Sequence, residues 1–202
     1  GDGGMVTTAR PEWADALRLL RWHGMSVPAH VRHAATRVVN ARYDALGFNY
    51  RLTDLQAAVG REQLKRLPDA LARRRDVAQR YNVALAGAAG VTPPAGPEWA
   101  RTNWQSYCVR LGPGIDQGRA MQALLDGGIA TRRGVMCAHR EPAYGPGTWR
   151  LGGGDLRHSE AAQDRCIILP LYPELSSADQ DRVVAALGDL AGASTGPIAA
   201  EG

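Results

Sequence analysis

Residues 47–67, GFNYRLTDLQAAVGREQLKRL, decide how this chain reads. Thr53 can accept at a helix N-cap, and Gln56 three residues later completes a capping box. Leu55, Ala58, Val59 and Glu62 then share one helical face. A loop entering a helix leaves free N–H groups and the positive end of the dipole outward, which suits an anion. Asn49 offers a neutral amide donor for a phosphate oxygen, and Arg51 a fork able to clamp a carboxylate. The residue types leave a second account open, in which Asn49 satisfies a turn and Arg51 pairs with Asp54.

Downstream, Pro68 suits the first turn of a new helix with Leu67, Leu71, Ala78, Tyr81 and Leu85 as its inward stripe. Gly87 ends that helix, and residues 87–103, rich in Ala, Gly and Pro, form a loop. Trp104 to Leu111 alternates, which sets Tyr107, Val109 and Leu111 on one face of a strand. Asp116 caps a helix with Met121, Leu124 and Leu125 facing inward, closed by Gly127-Gly128. Ile129 to Arg132 and Cys166 to Leu169 read as strands, and 145–154 as a flexible loop. Ser176 with Asp179 opens a last helix, with Val183, Leu187 and Leu190 inside.

Upstream, GDGGMVTT reads as a tight turn feeding a strand, because Gly tolerates positive φ and Val-Thr-Thr favours a pleat. Trp13 to Trp22 spaces Trp13, Ala16, Leu17 and Leu20 helically, and Gly24 stops it. Ser26 to Ala45 is irregular. The pattern is α/β, with a layered domain over 63–190 and a front piece, 1–62, that has no evident core of its own. A disordered tail is expected over 191–202, where periodicity is lost.

The 202 residues are 45% apolar, enough for a real core. No apolar run approaches the length that spans a bilayer, so no membrane partner is expected. Cys108, Cys137 and Cys166 are widely spaced and odd in number, which argues for reduced thiols in a cytoplasm and against a metal framework. The net charge of +4 comes largely from Arg61, Lys65, Arg66, Arg73, Arg74, Arg75 and Arg80, interleaved with Glu62, Asp69 and Asp76. That is a solvated helix face without base-stacking aromatics, so no nucleic acid partner is expected.

Six stretches occur in order: GDGGMVTT, WHGM, GFNYRLTDLQAAVGREQLKRL, NWQSYCVRL, GIATRRGVMCAHREPAY and LPLYPELSSADQDRVV. Together they resemble the DegT/DnrJ/StrS family of pyridoxal-phosphate (PLP) sugar aminotransferases, over Gly1 to about Leu187. The resemblance implies fold type I, with 1–62 as the end of the large PLP-binding domain and 63–190 as the small C-terminal α/β domain. It also implies that the Schiff-base lysine lies a few residues before the GDGG turn, so before Gly1. Lys65, in QLKRL, falls where the family has ordinary surface residues and is no substitute. The lysine holds the cofactor, yields to the amino donor and then moves the proton, so this chain alone is expected not to turn over.

The same resemblance implies roles for residues present here. Asn49 would reach across a homodimer interface to the cofactor phosphate of the neighbouring subunit. Arg51 would meet the donor carboxylate or the substrate, with a structural salt bridge as the alternative. His139 in AHREPAY matches a substrate-side histidine. Arg132, with Arg133, would hold the pyrophosphate of a nucleotide sugar, and Tyr144 is a further substrate candidate; His23 is read as structural. The implied reaction moves an amino group, with glutamate as donor, to a nucleotide-linked keto sugar or a cyclitol. The product would enter amino-sugar biosynthesis for a polysaccharide or an antibiotic. Two alternatives stay open: a PLP-dependent sugar dehydratase of the same family, from which Tyr50-Arg51 leans away, and a non-catalytic binding or regulatory module. An enzyme parent predicts exposed apolar surface where the large domain would cover this piece.

Overall fold

The computed structural model describes residues 3–145 and 147–193. The chain divides into two compact units, Gly1–Arg66 and Leu67–Gly202.

In the first unit, the Thr53 hydroxyl accepts the Gln56 N–H at 3.2 Å and Gln56 Oε1 accepts the Thr53 N–H at 3.0 Å. That reciprocal cap starts helix α3, Asp54–Lys65. Helix α1 spans Pro11–Leu20, with proline in its first turn. Helix α2, Ala29–Ala34, lies inside the stretch expected to be irregular, entered after Pro28 in an extended conformation. The expected opening strand does not form among residues 3–8: no ladder pairs it, and Met5 and Val6 are exposed. The tight turn begins at Gly1 and Asp2, which lie outside the described residues.

Gly24 is the one buried residue of this unit among those described. The α3 stripe is open, with Leu55 82% and Val59 63% exposed. The front piece therefore lacks a core among the described residues, and its apolar α3 face is exposed. An open hollow of about 440 Å³ lies between Gly3-Gly4 and the start of α3, floored by Leu52, Leu55 and Val59.

In the second unit, helix α4 (Leu67–Ala84) is followed by strands β1 (Val91–Thr92) and β2 (Tyr107–Leu111). Helix α5 (Gln117–Asp126) leads to β3 (Arg132–Arg133), then helix α6 (Arg157–Arg165), β4 (Cys166–Leu169) and helix α7 (Ser177–Ala193). The sheet runs β1-β2-β4-β3 and every pair is antiparallel. Alternation puts Tyr107, Val109, Leu111, Ile167 and Leu169 on one face, where they join Val77, Ala78 and Tyr81 of α4, Ala120 and Leu124 of α5, and Val183 and Leu187 of α7. This is a two-layer α/β core. Polar ties fix the layers: the Tyr81 hydroxyl donates to the Pro170 carbonyl at 3.1 Å and Gln180 Nε2 to the Val77 carbonyl at 2.9 Å.

Several expectations need correction. Leu67 and Leu125 are exposed: the buried stripe of α4 is Val77, Ala78 and Tyr81, and that of α5 is Ala120 and Leu124. The strand expected at Ile129–Arg132 starts later, at Arg132, and Ile129 plugs the core instead. Helix α6 gave no periodic signal, since its sequence RHSEAAQDR has no apolar stripe. The tail does not begin at Ala191: α7 continues to Ala193, and 194–202 lie outside the described residues.

Candidate functional site

Asn49 and Arg51 lie where the chain leaves the first unit's irregular segment and approaches α3. Two backbone approaches hold that segment. Gly47 packs so closely that a Cβ would come within 2.1 Å of the Gly24 nitrogen, and Gly24, at φ +71°, admits no side chain against the Ala45 carbonyl. The Phe48 and Tyr50 N–H groups donate to the Leu20 and Arg21 carbonyls, and the His23 N–H donates to the Phe48 carbonyl. Trp22 and Asn49 thus pair as an antiparallel bridge, and His23 serves this backbone pairing.

On that support, Arg51 Nε donates to Asn49 Oδ1 at 2.6 Å, and the guanidinium sits 4.5 Å from the Trp22 ring centroid. The alternative pairing of Arg51 with Asp54 is not formed. With Oδ1 turned to Arg51, Asn49 presents its NH2 as a donor. The Trp22 indole N–H is shielded from solvent and has no acceptor among the described residues. The amide NH2 and the guanidinium N–H groups are donors of the kind that fit a phosphate or carboxylate. Lys65, on α3, is an exposed surface cation paired with Glu62 at 2.6 Å.

The other candidates belong to the second unit. Arg132 lies on edge strand β3 opposite Ile168. It lines a hollow of about 300 Å³ with Gln105, Ser106, Thr131 and the Leu169-Pro170 turn. The Thr131 hydroxyl is shielded and unpartnered among the described residues. Arg133 is elsewhere occupied, 3.7 Å from Glu141. Arg132 forms no ion pair among the described residues, so of the two it is the one free for an anion.

His139 sits on a single 3-10 turn, Ala138–Arg140. Its Nε2 lies 2.9 Å from Glu160 Oε1 on α6, and its ring centroid is 5.1 Å from that of Trp149. The imidazole is only 14% exposed. Gln163, buried on the same helix, anchors the approach to this turn by accepting the Cys137 N–H. Gln117 in turn donates to the Gln163 and Cys166 carbonyls, both at 2.8 Å. Tyr144 is half exposed, and its N–H donates to the Glu141 carbonyl; no side-chain hydrogen bond joins it to His139 among the described residues. Glu160, Trp149 and Gln163 carry no local signal in the sequence, because α6 has no periodicity and Trp149 lies in a glycine-rich loop. The described residues contain no group of three or more metal-ligating side chains and no helix long and apolar enough to cross a membrane.

Residues 1–188 match the DegT/DnrJ/EryC1/StrS aminotransferase family. Among solved structures, the aminotransferase TlmJ from Streptoalloteichus hindustanus is 28% identical over 93% of this chain and 47% of its own, with a TM-score of 0.76. DesV from S. venezuelae, solved in complex with a ketimine intermediate, is 27% identical over 92% of this chain and 46% of its own, with a TM-score of 0.76. A DegT DnrJ EryC1 StrS aminotransferase from Brucella abortus is 32% identical over 92% of this chain and 45% of its own, with a TM-score of 0.72. The chain therefore spans about half the length of these structures. The likeness establishes the mixed α/β architecture of fold type I PLP-dependent aminotransferases.

Proposed function

This chain belongs to the DegT/DnrJ/EryC1/StrS aminotransferase family, and from that premise we propose that it forms the phosphate-side and substrate-side walls of a PLP-dependent sugar aminotransferase. Aminotransferases of this family use pyridoxal phosphate. When bound, PLP supplies an electron sink for the proton loss that lets an amino group move. The observation behind the reading is the Arg51 Nε–Asn49 Oδ1 hydrogen bond at 2.6 Å, which leaves the Asn49 NH2 and the other guanidinium N–H groups as donors. Asn49 would give its NH2 to the cofactor phosphate of a neighbouring subunit in a homodimer, with Arg51 holding the amide by its oxygen. Arg51 keeps further N–H groups for a carboxylate, which suits glutamate as the donor.

In the second unit, Arg132 would bind the pyrophosphate of a nucleotide-linked keto sugar, supported by its open hollow and its lack of an acidic partner among the described residues. His139 would contact the sugar, and Tyr144, half exposed, would border the same substrate. The chain alone is proposed to be inactive, since its single lysine, Lys65, is already paired on a helix surface. Domain roles follow: 1–62 as part of the large domain, 63–190 as the small one.

The test uses the enzyme that carries this chain. Asn49→Ala removes a hydrogen bond to a charged group, about 1.5–3 kcal/mol, so PLP retention should fall at least about tenfold in equilibrium dialysis. Retention equal to the unaltered enzyme would sink the assignment. Mass spectrometry of a nucleotide-linked keto sugar incubated with glutamate separates the chemistries: an amine gained supports transamination, and water lost would support the dehydratase.

A further inference from the structure

His139 is held on three sides. Glu160 Oε1 faces Nε2 at 2.9 Å, Trp149 packs against the ring, and the turn Ala138–Arg140 fixes the backbone. Glu160 is itself held: Arg140 Nη2 lies 3.6 Å from its second oxygen, while Arg140 Nη1 donates to Asp164 Oδ1 at 2.6 Å. Asp164 and Glu160 both lie on α6, so one guanidinium clamps the helix to the turn and leaves Oε1 for the imidazole. Among the described residues the other ring nitrogen, Nδ1, has no hydrogen-bond partner, and it is not among the shielded orphan atoms.

We propose that Glu160 is a positioning residue for His139. When the imidazole carries no charge, a carboxylate at Nε2 accepts the Nε2–H and so selects the tautomer with its lone pair on Nδ1. The group that His139 recognises is then a hydrogen-bond donor, a sugar hydroxyl, and not an anionic phosphate oxygen. This rests on the proposed placement of His139 against the substrate. It adds a division of labour: the cationic Arg132 takes the anionic part of a nucleotide sugar, and His139 takes a hydroxyl of the sugar ring.

The experiment is nitrogen-15 NMR of the imidazoles in the whole chain, at a pH where they carry no charge, with His139→Gln for assignment. The unaltered chain should show His139 with a pyrrole-type Nε2 and a pyridine-type Nδ1. In Glu160→Gln, Arg140 demands the amide oxygen and turns the NH2 towards Nε2, so the two nitrogen signals should exchange character. In Glu160→Ala the ring should sample both tautomers. A role for Glu160 in stability alone would leave the tautomer unchanged in both variants, and that result overturns the inference. UDP-glucose, with UDP as control, is then added to the enzyme that carries this chain. A His139 Nδ1 shift with UDP-glucose and none with UDP supports hydroxyl recognition, whereas an equal shift with UDP overturns it. A tautomer that follows Glu160 with no shift under either ligand overturns instead the reading of His139 as a substrate contact.

Discussion

Gly134→Ala tests how the sheet delivers the His139 turn. Gly134 follows β3 directly, and its N–H donates to the Cys166 carbonyl at 2.7 Å, where α6 gives way to β4. A Cβ there would lie 2.9 Å from Cys166 Cβ, 3.0 Å from the Cys166 carbonyl oxygen and 3.2 Å from the Ala162 carbonyl oxygen. None of these is the loose end of a side chain, so the backbone must move. Overpacking of this kind costs about 1–3 kcal/mol. Gly134 has no positive φ, so alanine can adopt its conformation and recovers about 0.4–1 kcal/mol by restricting the unfolded chain. The difference of the two ranges is about 0–2.6 kcal/mol against folding, centred on about 1.3 kcal/mol, so the clash wins.

Gly188 supplies the opposite sign. It lies within α7, and a Cβ added there would meet nothing within 4 Å, so Gly188→Ala should stabilise by about 0.5–1 kcal/mol. The assay is urea unfolding followed by near-ultraviolet circular dichroism, which reads the packed rings of Tyr81, Tyr107 and Trp104. The midpoint should fall for Gly134→Ala and rise for Gly188→Ala at constant slope. The imidazole signal of His139 should move in the first variant and stay in place in the second. A Gly134→Ala midpoint at or above that of the unaltered chain would refute the steric reasoning.

Three further outcomes are expected. Tyr107 is fully buried and its hydroxyl donates to Asn82 Oδ1 at 2.7 Å, so Tyr107→Phe should cost about 1 kcal/mol. Tyr107→Ala should cost about 3–5 kcal/mol in the same melts; equal costs would mean the ring packing contributes little. Gln163→Ala leaves the Cys137 N–H without its acceptor, a loss of about 1–3 kcal/mol with faster hydrogen exchange at Cys137; unchanged exchange would show that Gln163 does not anchor the turn. Burial, with Cys166 beside it, pushes the Cys108 thiol from 9.0 up to about 11. Its alkylation near pH 8 should therefore run about 100-fold slower than for an ordinary thiol. The unfolded chain loses this proton first, so stability is full below the unfolded value of 9.0 and is lost as pH rises through about 11. Burial also raises Tyr107, to about 12, which extends the loss. Stability that stays flat from neutral pH to pH 11 would contradict both burials.

In the second unit, capping and alternation made most elements legible. Asp116 does accept the Arg119 N–H at 2.8 Å, and Ser176 accepts the Asp179 N–H at 3.1 Å. The alternation of Tyr107, Val109 and Leu111 matches their burial. What stayed hidden was held by long-range polar contact. Helix α6 has one buried side chain, Gln163, and polar residues at inward positions carry no hydrophobic period to detect. Glu160 gives the same lesson for the site: its partner His139 is 21 residues away, and no local spacing joins them.

The first unit shows the converse limit. Its capping box and its α3 stripe were readable, because each is set by a few neighbouring residues. Periodicity identifies an apolar face but says nothing of what lies against it. Leu55, Val59 and Leu64 share an apolar helix that is 82%, 63% and 66% exposed at those positions, so here the face has no counterpart within the unit. Asn49 and Arg51 depend on that unit for their backbone support, through the Trp22 bridge and the Gly24–Gly47 packing. Those contacts join residues distant in the sequence, so the support of Asn49 and Arg51, like the Glu160–His139 pair, has no local spacing to reveal it, although the two residues themselves stand in one short motif.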